Sequence, residues 1–292
     1  MSETEESYDP YALPRNAIAE PPDNLWDSLK QIGPGIILAG TIVGSGELIL
    51  TTKLGAQYGF VFLWLVLFSC VIKVFVQVEL GRYAISSGQP TLGALKRISK
   101  YRFIGSILLV WWGIMTMFTV FQLGGMLGGV SQSLKTALPN ATDALNRVPA
   151  SASPTLAEYF RNRPELAWAF VICAVTIAIL YGGGYRRIEG LTTVLVVGLT
   201  FVTVLATIAL YLTDYSPQLA AILDGFKFKI PQNGIADAFA VFGITGVGAT
   251  ELFYYPYWCL EKGYARYTGV NDGTPEWTRR AQGWIRVMKL DA

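Results

Sequence analysis

Two copies of one five-residue pattern, Gly44-Ser45-Gly46-Glu47-Leu48 and Gly248-Ala249-Thr250-Glu251-Leu252, interrupt long apolar stretches of the chain. Each copy places a carboxylate directly after residues that allow the backbone to unwind. A charge at bilayer depth is costly and is usually retained for function. We therefore expect two discontinuous helices that face each other across one transport site.

The composition predicts an all-α, polytopic membrane protein. Of the 292 residues, 52% are hydrophobic and 15% are charged. In soluble domains about a quarter of the residues are charged. The chain has no histidine and a net charge of only +2. Neither a nucleophile–base pair nor a basic cluster interleaved with aromatic residues is visible, so we expect neither an enzyme nor a nucleic-acid partner. The three cysteines lack the CxxC spacing of a zinc site and indicate no disulfide framework.

Six apolar segments are long enough to cross a bilayer, which requires roughly 20 residues each. They predict a transmembrane bundle over residues 31–262. The third segment is long for one span, and the fourth is short. The segments are residues 32–52, 59–80, 103–134, 166–181, 191–212 and 235–260.

The flanking regions and the loop charges predict the topology. Residues 1–30 are acidic, polar and rich in proline, which predicts a mobile cytosolic tail rather than a signal peptide. Lysine and arginine concentrate in alternate loops, and the positive-inside rule then places the N-terminus and residues 263–292 in the cytoplasm. Arg147, Arg161 and Arg163 in an expected outer loop argue against this orientation. We expect a multi-pass protein of the plasma or inner membrane, with the lipid bilayer as its partner. The sequence leaves the oligomeric state undetermined.

The first pattern allows two interpretations. Gly33-Pro34-Gly35 opens the span, and Gly40, Gly44 and Gly46 follow inside it. Small residues at a spacing of four permit close helix packing. Packing alone does not explain Glu47, which favours a broken helix that lines a site.

The second pattern has the same logic. Gly243, Gly246 and Gly248 precede Glu251, and Pro256 removes a backbone donor further on. Unwound carbonyls near residues 248–250 could bind a cation together with the carboxylate, and oxygen ligands suit hard divalent cations, Na⁺ or H⁺. The alternative is that Glu251 snorkels to water from a helix end. The predicted metal-site residues are Glu47, Glu251, Ser45, Thr250, Gly44 and Gly248.

Other polar residues in the spans are weaker candidates. Lys73 and Gln77 lie one turn apart, and the spacing of Glu79 and Arg82 predicts an ion pair on one helix face. Gln122 could make a packing hydrogen bond or support a ligand. The aromatic group at residues 253–258 could form an interfacial belt or a gate, and Tyr254, one turn from Glu251, is the predicted gating residue.

At these residues the chain resembles the Nramp family of divalent metal transporters. The likeness lies in the opening Gly33-Pro34-Gly35 and in the approach Gly248-Ala249-Thr250. The signature residues differ: the family's metal-binding aspartate falls on Gly44 and its asparagine on Glu47, and its Met-Pro-His corresponds to Leu252-Phe253-Tyr254. The resemblance implies a LeuT-type bundle of two inverted five-helix repeats and cation transport. Six spans would then be the first repeat and the opening helix of the second, so we expect a fragment or a truncated form.

These observations favour a secondary active transporter of cations, first of all divalent metal ions, which works by alternating access. The inorganic cation would be its substrate, a coupled H⁺ or Na⁺ would be a second ion, and no resident cofactor is expected. Two alternatives remain. One is a Na⁺- or H⁺-coupled carrier of a small organic solute on the same fold. The other is a membrane protein without transport activity, such as a receptor or assembly factor.

Overall fold

The computed structural model describes residues 17–42, 46–98, 102–147, 158 and 162–292, and within these residues every regular element is a helix. In chain order the elements are α1 (Leu25–Leu29), α2 (Pro34–Ile42), a π-helix (Gly46–Leu50), α3 (Thr51–Tyr58), α4 (Leu63–Ser87), α5 (Thr91–Ile98), α6 (Arg102–Ala137), α7 (Pro139–Leu145), α8 (Glu165–Tyr181), α9 (Tyr185–Leu210), α10 (Leu219–Asp224), α11 (Ile235–Ile244), α12 (Ala249–Lys262), α13 (Tyr264–Thr268) and α14 (Pro275–Asp291).

Four helical stretches of the described chain are long and apolar enough to cross a membrane: Leu63–Ser87, Ile107–Ala137, Tyr185–Leu210 and Ile235–Lys262. The chain is therefore a polytopic all-α membrane protein. The fourth expected span, residues 166–181, corresponds to α8. Its 17 residues extend about 25 Å at 1.5 Å per residue, less than the roughly 30 Å of a bilayer core. The first expected span, residues 32–52, is divided between α2 and the helices that follow residue 45.

The described residues form two compact units. The first contains the chain up to Trp112 together with Glu189–Ala292, and the second is Gly113–Ile188. In the first unit, α4 packs against α12, α14 and α11, and α2 packs against α12. Its main core consists of buried apolar side chains from α2, α4, α12, α13 and α14, which include Leu38, Ile85, Tyr255, Tyr264, Trp284 and Met288.

The described part of the expected tail, residues 17–30, packs against the C-terminal helices. The Ala19 amide donates to the Tyr267 carbonyl at 3.0 Å, and the Trp284 indole donates to the Ala19 carbonyl at 2.9 Å. Thr274 caps α14 by accepting from the Trp277 amide at 3.1 Å, as Ser and Thr commonly do at helix N-termini. The two flanking segments thus pack on each other within the first unit.

The second unit is a helical hairpin of α7 and α8 with the larger part of α6. The Trp168 indole donates to the Thr142 hydroxyl at 2.9 Å, and Lys135 pairs with Glu165 at 3.2 Å. Gln122 belongs to this unit, on α6, and is half-buried. The three cysteines of the chain form no disulfide, as the sequence indicates.

Candidate functional site

The sixth expected span is broken where the second pattern begins. The helix α11 ends at Ile244 and α12 starts at Ala249. Between them, Gly246 has a φ of 73°, in the left-handed region that glycine adopts without steric cost. Gly248 has an extended backbone and caps α12. Residues 245–248 therefore interrupt the helix, as the sequence predicts. Ala249 and Thr250, near which unwound carbonyls were expected, instead belong to the first turn of α12.

The side chains of α4 satisfy the carbonyl end of this break. The Ser69 hydroxyl donates to the Phe242 carbonyl at 2.8 Å. The Lys73 ammonium donates to the carbonyls of Gly243 at 2.9 Å and Thr245 at 2.7 Å. A helix end leaves carbonyls without intrahelical partners, and such groups are costly inside a bilayer. Helix α4 therefore stabilises the break.

The opposite end of the break carries Glu251. This residue lies in the first turn of α12 and is half-buried. Its carboxylate folds back over Gly248, so that a side chain at Gly248 would collide with Glu251 Oε2. A glutamate at the third helical position commonly reaches back in this way, and the helix dipole favours a negative charge there. Thr250 is buried beside it, at 7% exposure.

The two helical stretches that carry the patterns, residues 32–58 and 235–262, run antiparallel. Helix α2, before the first pattern, packs on α12, whereas the π-helix after it contacts α11. At one end the Lys262 ammonium donates to the Ile32 carbonyl at 3.2 Å, and at the other the Tyr58 hydroxyl donates to Asp237 Oδ2 at 2.7 Å. The beginning of each stretch therefore meets the end of the other.

The first pattern itself is described only in part. Gly44 and Ser45 lie outside the described residues, and of Glu47 the structure gives the backbone, within the π-helix. A site shared by Glu47 and Glu251 therefore stays a prediction. Gly40, by contrast, lies where α9 approaches α2, and a methyl group there would collide with Thr192. Gly40 thus serves close helix packing.

Tyr254 lies in the second turn of α12. It lines a cleft of about 390 Å³ together with Leu92, Trp112, Phe253, Tyr257, Trp258 and Glu261. The cleft is aromatic, with one exposed carboxylate. A gating role for Tyr254 stays a prediction.

Glu79 and Arg82 form the expected ion pair on the exposed face of α4. This confirms the prediction from their spacing. Lys73 and Gln77, which are on the same helix, are instead buried at 8% and 2% exposure. The role of Lys73 was not visible in the sequence. Its Nζ binds backbone carbonyls about 170 positions away, and no side-chain type marks such carbonyls.

Sequence reasoning also missed the carboxylate that binds the start of α2. Asp291 accepts from the amides of Gly33 at 2.7 Å and Gly35 at 2.8 Å, and from the Tyr255 hydroxyl at 3.2 Å. Burial raises the pKa of Asp291, while the two amides, Tyr255 and the charge of Lys262 oppose that shift. Neither glycine has room for a side chain, because a Cβ at Gly33 would meet Glu189 and one at Gly35 would meet Asp291.

Among the described residues, no group of three or more His, Cys, Asp or Glu side chains is placed to hold a metal ion. A cation at the break would therefore depend on one or two carboxylates with backbone carbonyl and hydroxyl oxygens. Hard cations accept such a ligand set.

No protein-family model and no solved structure matches the chain. An uncharacterized protein of Pasteurella multocida is 28% identical over 186 residues, which cover 63% of this chain and 36% of that protein. The divalent metal cation transporter MntH of Staphylococcus aureus strain MRSA252 is 26% identical over 223 residues, which cover 75% of this chain and 42% of the transporter. MntH of strain JH9 is 25% identical with the same coverage. The chain thus spans less than half the length of these relatives and is distantly related in sequence to divalent metal cation transporters.

Proposed function

We propose that this chain is part of a secondary transporter of cations, with divalent metal ions as its first substrates. Transport would proceed by alternating access at the two helix breaks. The observation that carries the proposal is the antiparallel pairing of residues 32–58 with residues 235–262, in which Glu251 lies at the described break. The distant likeness to MntH transporters of Staphylococcus aureus supports the choice of substrate.

In this proposal the carboxylates of Glu47 and Glu251 bind the ion and neutralise a divalent charge. The hydroxyls of Ser45 and Thr250 and the backbone oxygens at Gly44 and Gly248 complete its coordination shell, as oxygen ligands do for hard cations. Tyr254 closes the site from one side.

One observation favours a second candidate, a Na⁺- or H⁺-coupled carrier of a small organic solute. The buried Lys73 ammonium brings a positive charge to the break, and the N-terminus of α12 adds a positive partial charge. Together they suit an anionic group of the solute, as broken helices do in other transporters.

Glutamine variants of the two acids test the metal proposal. We expect Glu47→Gln and Glu251→Gln each to lower Mn²⁺ uptake at least about tenfold, since loss of one charged ligand in a low-dielectric site weakens binding by more than ~1.4 kcal/mol. Uptake is measured in proteoliposomes made with the natural gene product that contains this sequence. Glu276→Gln, at an exposed position of α14, is the control and should transport normally.

Unchanged Mn²⁺ uptake in both variants, at equal protein levels, would contradict the proposal. Saturable uptake of an organic anion that needs no metal and depends on a Na⁺ or H⁺ gradient would support the second candidate instead. If both glutamates are dispensable for every substrate tested, the chain has no transport function at these breaks.

A further inference from the structure

The buried ammonium of Lys73 has no part in the metal-transport proposal above. Lys73 lies on α4 with 8% of its surface exposed, in one of the four helices that can cross a membrane. Ionisable residues at such depth are rare and mark function by default. Its Nζ lies 2.9 Å from the Gly243 carbonyl and 2.7 Å from the Thr245 carbonyl.

The surroundings of Nζ are those of a cation site. The carbonyl end of a helix carries a negative partial charge, which favours a cation within the last turn. The Phe242 ring adds its face, with the centroid 5.9 Å from Nζ, an arrangement that also attracts cations. Ser69, one turn earlier on α4, donates to Phe242 and Thr245 at 2.8 and 3.3 Å, so neutral donors already serve part of this helix end.

The chain could have satisfied these carbonyls with neutral donors alone, as Ser69 does. It places instead a full positive charge on a long side chain, at the point where a broken helix offers backbone oxygens to an ion. Unwound carbonyls and half-helix carbonyl ends are the groups that bind Na⁺ in transporters with broken helices.

We propose that the Lys73 ammonium is a resident cation, which occupies the carbonyl end of the second break and closes it to soluble cations. A transported ion then has access only to the end that carries Glu251. The occupied end needs no Na⁺ or K⁺, so transport is independent of these ions at this position. The part that concerns transport rests on the proposed function, but occupancy of the carbonyl end does not.

Thermal unfolding of the purified natural protein in detergent tests the occupancy. In N-methyl-D-glucamine chloride, a bulky inert cation, we expect Lys73→Ala to lower the Tm on the order of 5 °C, a shift appropriate to the loss of one buried interaction. Methylammonium should restore at least half of that loss, since it fits the space left by the side chain. Na⁺ is tested beside it as the smaller probe.

Two matched variants control the experiment. Lys73→Met keeps the length of the side chain without its charge, so its Tm should be low and should not respond to methylammonium. Lys53→Ala makes the same change at an exposed position of α3 and should behave as the parent protein. The proposal is overturned if Lys73→Ala melts with the parent, or if methylammonium fails to restore it. It is also overturned if methylammonium stabilises all variants equally.

If Lys73→Ala does not fold, amine labelling of the parent protein tests the occupancy instead. A small water-soluble acylating reagent should modify Lys73 at least about tenfold more slowly than Lys53, a ratio that corresponds to ~1.4 kcal/mol of protection. Equal labelling rates, measured by mass spectrometry, would overturn the proposal. Neither measurement involves metal uptake, so failure of the transport hypothesis would leave these results unaffected.

Discussion

At the scale of single residues, Asp291 is the clearest case of a side chain that acts through backbone groups. Its carboxylate accepts from the Gly33 and Gly35 amides at the start of α2. A negative charge at a helix N-terminus is favourable, and the amides there have no intrahelical partners. Burial opposes the charge and raises the pKa of Asp291 above the usual 3.8. The contact therefore couples the start of α2 to pH.

The sign of this coupling is a prediction. Because the folded protein binds the Asp291 proton more tightly than the unfolded chain, the contribution to stability is complete below about pH 3.8 and is lost as the pH rises through the folded pKa. Asp291→Asn removes this titration. The unfolding free energy of the parent minus that of the variant should therefore decrease with rising pH. Thermal or denaturant unfolding measures both values.

Asp272→Asn is the control of opposite sign. Hydrogen bonds from the Thr274 hydroxyl and amide lower the pKa of Asp272. Its contribution is present above about pH 3.8 and is lost as the pH falls through the folded pKa. Equal slopes for the two variants would contradict the assignment of Asp291.

At the scale of elements, the second break is stabilised from both sides and depends on one glycine. Ser69 and Lys73 of α4 satisfy the end of α11, and Glu251 folds over the start of α12. Gly246, between them, has a positive φ. A Cβ there would lie 3.2 Å from Cys70 Sγ, tighter than ordinary van der Waals contact. The conformation of the break thus depends on its contacts with α4.

Alanine variants at two glycines of this region test the break. Gly246→Ala should lower the unfolding free energy by about 1–2 kcal/mol, the cost of a left-handed conformation for a residue with a Cβ. Gly243→Ala is the matched control, since a Cβ there meets no atom within 4 Å and alanine favours a helix by up to ~1 kcal/mol. Thermal unfolding in detergent should separate the two variants. If Gly246→Ala left the unfolding free energy unchanged, the break would not need the positive φ.

At the scale of the whole molecule, residues 17–30 and the C-terminal helices pack on each other within the first unit. Trp284 of α14 is 3% exposed, stacks on Tyr264 and donates to the Ala19 carbonyl. Arg279 pairs with Glu20 at 2.7 Å, but both are exposed, and such pairs contribute at most about 1 kcal/mol. The buried indole therefore carries this contact.

Trp284→Ala should release both segments. Truncation of a buried tryptophan costs about 3–5 kcal/mol, so we expect faster proteolysis at residues 17–30 and in α14, with the other helices intact. Trp26→Ala, at a side chain that is 70% exposed, should change the cleavage rate little. Equal cleavage of the two variants, followed by mass spectrometry, would contradict the contact.

The long apolar helices and the second break could be predicted from the sequence, because their signals are local. Apolar runs predict spans at residues 59–80 and 191–212, which correspond to the helices Leu63–Ser87 and Tyr185–Leu210, and the glycines before Glu251 predict the break. The first span was harder to delimit, since the chain leaves α2 at Ile42 and resumes in a π-helix. Side-chain pairs three positions apart, such as Glu79 and Arg82, could be predicted for the same reason.

The contacts that give the site its character could not be predicted. Lys73 binds carbonyls of α11, and Asp291 binds amides of α2 more than 250 positions away. Every residue has a backbone acceptor and every residue except proline has a backbone donor, so composition and spacing contain no sign of which ones a charged side chain will reach.

The sequence by itself determined that the chain is helical, enters a membrane and breaks a helix beside Glu251, because hydropathy and glycine content act over short stretches. Only the tertiary structure decided which charges meet the broken ends. It placed Lys73 at the carbonyl end of the second break and Asp291 at the start of α2. The physical reason is that a helix end attracts an opposite charge wherever packing brings one, and packing depends on the fold of the whole unit.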